Sequence, residues 1–294
     1  MLSTWLRVIR IRFLFASVVA VSVGLAITWW QNAQLDIFQA IVTMAGVLAL
    51  HASVDLLNDY WDFKRGIDLQ TQRTKMSGGT GVLPEGLLKP SQVYRAGIAF
   101  LVIGSIIGLY FVITDGIIIG VILAFAILSI YFYSTKIVDS GLAELFVAIK
   151  GTMIVLGTYF IQTSEINESA IMAGIFVGAL SSLILFITSF PDFNADKSKG
   201  RKTLVIVLGK EKAIFAFWIF PTIAYLILFV GVAFEIFPIY CLISLATIPF
   251  VINSGMKLKS SYDEIKKLVP VMNSTLIFSR ITGALFVIGF LLNI

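Results

Sequence analysis

Nine stretches of mostly apolar residues, each long enough to cross a lipid bilayer, constrain this chain more than any other feature of its sequence. They cover residues 13–30, 37–57, 94–113, 116–133, 141–161, 169–190, 213–234, 237–254 and 270–292. A bilayer offers no partner for the open edge of a strand, so every stretch is predicted to be a helix. The expected fold class is all-α: a polytopic membrane protein with one integral-membrane domain over residues 1–294.

The composition excludes several other classes of protein. Only 13% of the residues are charged and 58% are hydrophobic, whereas a soluble domain carries about 25% charged residues. The single cysteine, Cys241, lies in an apolar stretch, which argues against a disulfide or thiolate-metal framework. The single histidine, His51, argues against a His-rich zinc or haem site.

The basic residues predict how the chain sits in the membrane. All Lys and Arg residues except Lys150 and Arg280 precede the first stretch or fall in alternate connecting loops and their flanks. Since basic loops stay in the cytoplasm, we expect a cytoplasmic N-terminus, an external C-terminus, and cytoplasmic cap loops at 58–95 and 191–212. This topology explains the net charge of +5, and no nucleic-acid partner is expected.

Two acidic motifs open these cap loops. The first, in LLNDYWDFKRGID, contributes Asn58, Asp62 and Asp68, and the second, in PDFNAD, contributes Asp192 and Asp196. A spacing of four places two side chains on one helix face, and oxygen ligands suit Mg²⁺, which commonly bridges to substrate phosphates. The alternative for either pair alone is a solvated acidic loop. Four predicted spans separate the motifs, which suggests a duplicated four-helix unit.

Basic residues and a glycine-rich segment follow the acidic motifs. Carboxylates beside Lys and Arg are typical of a metal with a phosphate, although membrane topology is the alternative explanation for each basic residue alone. The segment SGGTGVLPEG, residues 77–86, allows a close approach to a ligand but does not match a P-loop.

The chain resembles the UbiA superfamily of intramembrane prenyltransferases over nearly its full length. NDYWD and DFNAD resemble the two acidic signatures of that superfamily. Within this superfamily the chain looks most like the branch that prenylates 1,4-dihydroxy-2-naphthoate in the menaquinone pathway. Five stretches carry this similarity: WLRVIRIRFLFA, NDYWDFKRGID, GGTGVLPEGLL, FYSTKIVDSGLAELFVAIKGTMIVLGTYFIQT and GRKTLVIVLGKEKA.

The resemblance implies helices around a central apolar cavity, open to lipid and capped by cytoplasmic loops. It implies Mg²⁺-dependent transfer of a prenyl chain from an allylic diphosphate to an aromatic acceptor, here 1,4-dihydroxy-2-naphthoate. The expected ligands of two Mg²⁺ ions are Asn58, Asp62, Asp68, Asp192 and Asp196, with Asp59, Asp62 and Asp192 as catalytic residues. The expected diphosphate contacts are Lys64, Tyr133, Lys136, Arg201 and Lys202, and the expected acceptor contacts are Arg12 and Lys150.

Ionisable residues inside the predicted spans are candidates for function. We expect His51 to make a hydrogen bond within the membrane. Asp55 and Asp59 share a helix face with Asp62, and either is a candidate to take the ring proton. Lys150 and Arg280 either pair with a carboxylate for structural reasons or bind an anionic acceptor.

Other functions remain open from the sequence. The same chemistry on 4-hydroxybenzoate or on a glycerol-phosphate ether lipid is the nearest alternative. A divalent-cation transporter and a binding protein with an inactive site are more distant, because the acids lie on one side only and the metal motifs are intact. The expected location is the cell membrane, with the active site facing the cytoplasm. The expected partners are the lipid bilayer, the lipid donor and a small aromatic acceptor.

Overall fold

The computed structural model of this chain describes residues 1–32, 34–74 and 76–292, and the regular structure of these residues is helical. The helices are α1 (Leu2–Val8), α2 (Ile11–Asn32), α3 (Ile37–Lys64), α4 (Pro90–Asp115), α5 (Ile117–Phe132), α6 (Ala143–Thr163), α7 (Glu168–Ser198), α8 (Leu204–Leu208), α9 (Lys210–Ala216), α10 (Ile219–Ala233), α11 (Ile248–Ser261) and α12 (Ile265–Leu291). A π-helical turn, Tyr133–Ile137, continues α5, and a 3-10 segment, Ile239–Thr247, leads into α11.

Within the described residues, nine helical segments are long and apolar enough to cross a membrane. They are Ile11–Asn32, Ile37–Lys64, Pro90–Asp115, Ile117–Ile137, Ala143–Thr163, Glu168–Ser198, Lys210–Ala233, Ile239–Ser261 and Ile265–Leu291. Each overlaps one of the nine apolar stretches, so the prediction of an all-α polytopic membrane protein is confirmed. The cytoplasmic N-terminus and the four-helix repeat stay predictions.

The starts of α3 and α7 follow from local capping chemistry. The Asp36 carboxylate accepts a hydrogen bond from the backbone N–H of Gln39 at 2.9 Å, and the Asn167 side chain accepts one from the N–H of Ala170 at 2.9 Å. Both side chains satisfy N–H groups that have no partner inside the helix. The acidic motifs lie at the other ends of the same two helices, so α3 and α7 carry them to a common side of the molecule.

The two cap loops are shorter than the predicted 58–95 and 191–212. Helix α3 continues through Lys64 and α7 continues through Ser198, so the acidic motifs lie mainly on final helical turns. Apolar windows end where charges begin, but a helix continues as long as its backbone hydrogen bonds are made. Among the described residues, the irregular cap therefore consists of 65–74 with 76–89, which we call the first cap segment, and 199–203, the second cap segment.

The two helices that carry the acidic motifs, α3 and α7, pack closely against their neighbours. Helix α3 packs most extensively on α4, and α6 packs on α7. A Cβ atom on Gly151 of α6 would lie 2.9 Å from the Cα atom of Gly178 on α7, so two glycines let these backbones approach, as small residues do in membrane helix pairs. A buried cluster that includes Val8, Leu56 and Val82 joins α1, α3 and the first cap segment.

Candidate functional site

A cavity of about 370 Å³ opens among the helices beneath the cap. Apolar side chains from several helices form its body, including Val47, Leu50, Ile107, Ile122, Leu123, Phe125 and Ile161. Polar side chains line it where the acidic motifs end α3 and α7, and we call this part the mouth. A cavity that is apolar with a few convergent polar groups is typical of a small-molecule site.

The structure brings all five predicted metal ligands to the mouth. Asn58, Asp62, Asp68, Asp192 and Asp196 line the same cavity, although the two motifs lie on different helices. Asp62, Asp68 and Asp196 are buried. Buried carboxylates that line one cavity repel one another unless a cation lies between them.

Arg201 supplies a positive charge between the two motifs. Its guanidinium pairs with the Asp62 carboxylate and donates a hydrogen bond to Asp196 Oδ1 at 3.0 Å. Burial opposes the charge, but the carboxylates of Asp62 and Asp196 raise the pKa of Arg201. Arg201 was predicted to contact the diphosphate, and the structure places it in the cavity wall.

The glycine-rich stretch of the first cap segment closes over the acidic motifs. The backbone N–H of Gly78 donates to Asp192 Oδ2 at 3.0 Å, and the Thr71 hydroxyl donates to Asp192 Oδ1 at 3.2 Å. Gly79 has a φ of 69°, and a Cβ atom there would collide with the Asp68 carboxylate. Only glycine meets both conditions easily, so this stretch approaches the carboxylates of both motifs.

Asp59 has a different position from the one predicted. Its buried carboxylate accepts hydrogen bonds from the backbone N–H of Thr80 at 2.9 Å and from the Thr80 hydroxyl at 2.8 Å. Asp59 is absent from the described residues that line the cavity, whereas Asp55 and Asp62 line it. Asp55 and Asp62 are seven residues apart, about two full turns, and Asp59 turns toward the cap. The structure therefore does not bring Asp59 to the mouth with the other predicted residues, and its carboxylate holds the first cap segment instead.

Asp68 presents an unsatisfied oxygen to the mouth. Within the described residues its Oδ2 atom is buried and has no hydrogen-bond partner. Burial, with the neighbouring carboxylates of Asp62 and Asp59, raises the pKa of Asp68 to about 8. A buried oxygen without a partner is costly, and binding a cation there removes the cost.

The donor set at the mouth fits Mg²⁺ in chemistry but is not a closed protein cage. Its atoms are hard oxygens, which Mg²⁺ prefers. No group of three or more His, Cys, Asp or Glu side chains in the described chain is arranged to hold a metal ion by itself. Oxygens from water or from a phosphate must therefore complete the coordination, which is the usual arrangement for Mg²⁺.

Three predicted diphosphate contacts lie outside the cavity. The side chains of Lys64, Lys136 and Lys202 are exposed, and none of them lines the cavity as described. The Lys64 ammonium instead lies 5.9 Å from the centre of the Tyr60 ring. The structure therefore does not bring these three lysines to the mouth, because their side chains are exposed to solvent. Tyr133, also predicted, does line the cavity.

The N-terminal arginine that lines the cavity is Arg10, whereas Arg12 was predicted. Arg12 is exposed, and its backbone oxygen accepts a hydrogen bond from Arg280. Arg10 has a φ of 53° at the break between α1 and α2, and its Nη2 atom lies 3.4 Å from Asn58 Oδ1 and 3.5 Å from Asp59 Oδ1. The Arg-x-Arg spacing could not choose between them, since this break sets which side chain turns inward.

Arg65 connects the first cap segment to the π-helical turn and to the second cap segment, a role that the sequence did not indicate. Its guanidinium donates to the Ser134 carbonyl at 2.7 Å, to Asp139 Oδ1 at 3.0 Å and to the Lys199 carbonyl at 2.8 Å. The Asn58 amide in turn donates to the Ser134 hydroxyl at 2.9 Å. The π-helical turn after α5 is thereby fixed beside the first motif, as π-helical turns often are at functional sites.

Polar side chains also lie deeper in the cavity, and we call them the deep cluster: Ser17, His51, Asp55 and Lys150. The predicted hydrogen bond of His51 is confirmed, since its Nδ1 atom lies 2.7 Å from the Ser17 hydroxyl. The other ring nitrogen of His51 lies 3.8 Å from Asp55 Oδ2. Arg280 also lines the cavity, with its guanidinium 5.8 Å from the centre of the Phe15 ring.

Comparison with known proteins identifies the relatives of this chain. The model of the UbiA prenyltransferase family matches residues 17–277. A 1,4-dihydroxy-2-naphthoate octaprenyltransferase of Escherichia coli (strain K12) is 25% identical over 301 residues, with 98% of this chain and 95% of that protein covered. The protein of the same name from Bacillus subtilis (strain 168) is 28% identical over 205 residues, with 68% of this chain and 64% of that protein covered. The chain therefore spans slightly less than two thirds of the B. subtilis relative.

Solved structures share the fold at low sequence identity. A UbiA homologue from Archaeoglobus fulgidus bound to DMAPP and Mg²⁺ has a TM-score of 0.63 and 15% identity, with 96% of this chain and 99% of that chain covered. A digeranylgeranylglyceryl phosphate synthase has a TM-score of 0.66 and 19% identity, with 98% of each chain covered.

Proposed function

The chain belongs to the UbiA prenyltransferase family, and from this premise we propose that it transfers a polyprenyl chain from an allylic diphosphate to 1,4-dihydroxy-2-naphthoate. The observation that carries the proposal is the meeting of two acidic motifs, from α3 and α7, at the mouth of an apolar cavity. Two relatives named 1,4-dihydroxy-2-naphthoate octaprenyltransferase match most of this chain, which supports the naphthoate as acceptor.

The residues of the mouth divide into metal ligands and phosphate contacts. Asn58, Asp62, Asp68, Asp192 and Asp196 would hold Mg²⁺, proposed as two ions. When bound, Mg²⁺ neutralises the charge that develops on the leaving diphosphate. Arg201 and Tyr133 line the same mouth, and we assign to them the direct contacts with diphosphate oxygens that the metal leaves free.

Arg201 has a second task in this proposal. Without a ligand it pairs with Asp62 and Asp196, and it thus keeps two metal ligands together in a buried place. A guanidinium binds phosphate oxygens as readily as carboxylates. Arg201 is therefore positioned to shift from the carboxylates to the diphosphate when the substrate arrives.

The apolar body of the cavity suits the prenyl chain and the reaction. Each buried CH₂ group contributes about 0.8 kcal/mol to binding, so a long isoprenoid needs few polar contacts. The allylic carbon becomes electron-poor as its bond to the diphosphate oxygen breaks, and the ring carbon of the acceptor attacks it. The proton of that ring carbon then passes to a base, for which Asp55 is the candidate that lines the cavity. A cavity that excludes water protects that carbon from hydrolysis. We place this site at the cytoplasmic face of the cell membrane, following the distribution of basic residues.

The test is a transfer assay with purified protein, Mg²⁺, geranylgeranyl diphosphate and separate candidate acceptors. Diphosphate release and product mass are measured together. We expect prenylated naphthoate from the wild-type chain and loss of the product in Asp62→Asn and Asp192→Asn. Absence of product with every acceptor, together with unchanged diphosphate binding in both variants, would overturn the proposal.

The same chemistry on a glycerol-phosphate ether lipid is the second candidate, because the fold is shared with a digeranylgeranylglyceryl phosphate synthase. The assay includes this lipid acceptor and 4-hydroxybenzoate as parallel arms. A divalent-cation transporter is tested by Mg²⁺ flux into liposomes. Flux without prenyl transfer would favour transport over the enzyme.

A further inference from the structure

The deep cluster contains two charged groups that do not pair with each other. The Oδ2 atom of Asp55 is buried and has no hydrogen-bond partner among the described residues. Lys150 lines the same cavity and makes no ion pair within the described part of the chain. Charged side chains inside a membrane protein are costly and are retained where they bind something.

The neighbours of Asp55 hold it without satisfying that oxygen. His51 precedes Asp55 by one helical turn, and its Nε2 atom stays 3.8 Å from Asp55 Oδ2, beyond hydrogen-bond length. The other ring nitrogen of His51 is occupied by the Ser17 hydroxyl. The imidazole is thus fixed in place, and Asp55 Oδ2 is left to accept a hydrogen bond from a ligand.

The surroundings of Lys150 favour a flat ring. Phe146 lies one turn before Lys150 on α6, so the two side chains share a helix face. Its ring stacks on that of Phe125 with a centroid distance of 6.0 Å and an interplanar angle of 10°, and both rings line the cavity. The stacked rings offer a planar molecule an aromatic surface, and Lys150 supplies a positive charge to the same cavity.

The deep cluster also lies at a useful distance from the mouth. Asp55 precedes Asp62 by seven residues, which corresponds to about 10 Å along the axis of α3. A ring bound at Asp55 would therefore lie within about 10 Å of the mouth along α3, where the allylic end of the donor would be. This arrangement allows the ring to face the reacting carbon.

We propose that the deep cluster is the acceptor subsite and that it selects an aromatic hydroxy acid. Lys150 binds the carboxylate of the acceptor, and Asp55 Oδ2 accepts a hydrogen bond from a ring hydroxyl, which raises the electron density of the ring. His51 is a positioning residue that holds Asp55. This inference rests on the proposed function and adds the chemistry by which the acceptor is chosen.

The test compares two acceptors that differ only in the carboxylate: 1,4-dihydroxy-2-naphthoate and 1,4-naphthalenediol. We expect the wild-type chain to prefer the naphthoate by about thirtyfold in kcat/KM, the effect of one buried charge pair. Lys150→Met should lose that preference through a higher KM for the naphthoate, with an unchanged KM for geranylgeranyl diphosphate. Lys150→Arg keeps the charge and should keep most of the preference.

Two further variants separate the roles. Lys259→Met removes an exposed lysine on α11 and should leave both acceptors unaffected. Asp55→Asn should lower kcat for both acceptors about tenfold or more, the scale of one hydrogen bond to a charged group, while the preference for the carboxylate remains. Binding of the diphosphate donor to each variant shows that it is folded.

The outcomes distinguish this inference from the proposed function. If the wild-type chain prenylates the naphthoate but Lys150→Met keeps the preference for the carboxylate, the inference alone is overturned. Equal use of the two acceptors by the wild-type chain has the same consequence, as does transfer to the ether lipid only. If the wild-type chain prenylates no acceptor at all, the proposed function is overturned and this inference with it.

Discussion

The mouth and the deep cluster of the cavity hold their charges in different ways. At the mouth, Asp62 and Asp196 share Arg201, and Asp192 accepts hydrogen bonds from Thr71 and Gly78. In the deep cluster, Asp55 Oδ2 and Lys150 have no such partners in the described chain. Most carboxylates of the mouth thus have partners among the described residues before a ligand binds, with Asp68 Oδ2 as the exception, whereas in our proposal the charges of the deep cluster are satisfied only by a ligand.

The largest expected effect comes from removing a carboxylate at the mouth. Asp62→Asn should lower kcat/KM by about a thousandfold, the scale seen when one stabilising contact to a transition state is lost. The measurement is diphosphate release at saturating Mg²⁺. Asp263→Asn, which changes an exposed aspartate paired with Lys210, is the matched control. A loss of less than tenfold in Asp62→Asn would contradict the assignment of the metal site.

Removing Arg201 should destabilise the mouth without touching the deep cluster. In Arg201→Gln, the carboxylates of Asp62 and Asp196 lose their buried cation, which costs about 3–5 kcal/mol. We expect a lower Tm in the absence of Mg²⁺ and a larger rise in Tm on adding Mg²⁺ than in the wild-type chain. An equal rise in both proteins would show that Mg²⁺ does not take over the carboxylates that Arg201 releases.

Alanine substitutions at two glycines of the first cap segment should separate the effect of backbone strain from the effect of a steric clash with Asp68. Gly79 and Gly86 both have a φ of 69°, but a Cβ atom on Gly79 meets the Asp68 carboxylate and one on Gly86 meets nothing within 4 Å. Both alanine variants should lose about 1 kcal/mol to backbone strain. Only Gly79→Ala should also weaken Mg²⁺ and diphosphate binding, measured by calorimetry. Equal binding in the two variants would exclude Asp68 from the site.

The pH dependence of Mg²⁺ binding should report on Asp68. Its pKa in the metal-free protein is raised to about 8, so below that pH the carboxyl is protonated and must release its proton before a cation binds. The apparent affinity for Mg²⁺ should therefore rise with pH up to about 8 and then level off. In Asp68→Asn the affinity should be weaker throughout and this rise should be reduced. An unaltered pH profile in the variant would show that another group titrates.

The smallest effect is expected from the surface of the cap. Glu85 pairs with Arg7 at 2.7 Å and with Arg73, and hydrogen bonds from these arginines lower the pKa of Glu85 to about 2. Because the three side chains are solvent-exposed to a large degree, Glu85→Gln should lower the Tm only slightly. A large loss of activity in this variant would mean that α1 controls access to the mouth.

The fold and the convergence of the two acidic motifs on one cavity were predictable from the sequence because simple constraints act on them. A bilayer demands long apolar helices, and a spacing of four places Asn58 with Asp62, and Asp192 with Asp196, on common helix faces. The placement of the basic residues was not predictable in this way. Four basic residues were predicted to contact the diphosphate: Lys64, Lys136, Arg201 and Lys202. Only the folded chain shows that, of these four, Arg201 alone lines the cavity as described.

The choice of inward-facing side chains depends on local backbone geometry that composition does not reveal. Arg10 enters the cavity because the chain adopts a φ of 53° between α1 and α2. Asp59 lies outside the proposed metal site because Thr80, from the first cap segment, binds its carboxylate. Thr80 follows Asp59 by 21 residues, so the spacing within one motif gives no indication of this contact.

The bonds that close the mouth have a consequence for how the protein is made. Arg201 lies 139 residues after its partner Asp62, and Asp192 lies 114 residues after its partner Gly78. A ribosome-bound chain that has inserted α2 to α6 therefore carries an incomplete site, in which Asp62 lacks the guanidinium of Arg201 that pairs with it in the folded protein. The site becomes whole only when α7 has entered the membrane and the second cap segment has followed it. We therefore expect the mouth to assemble late in the biogenesis of this protein.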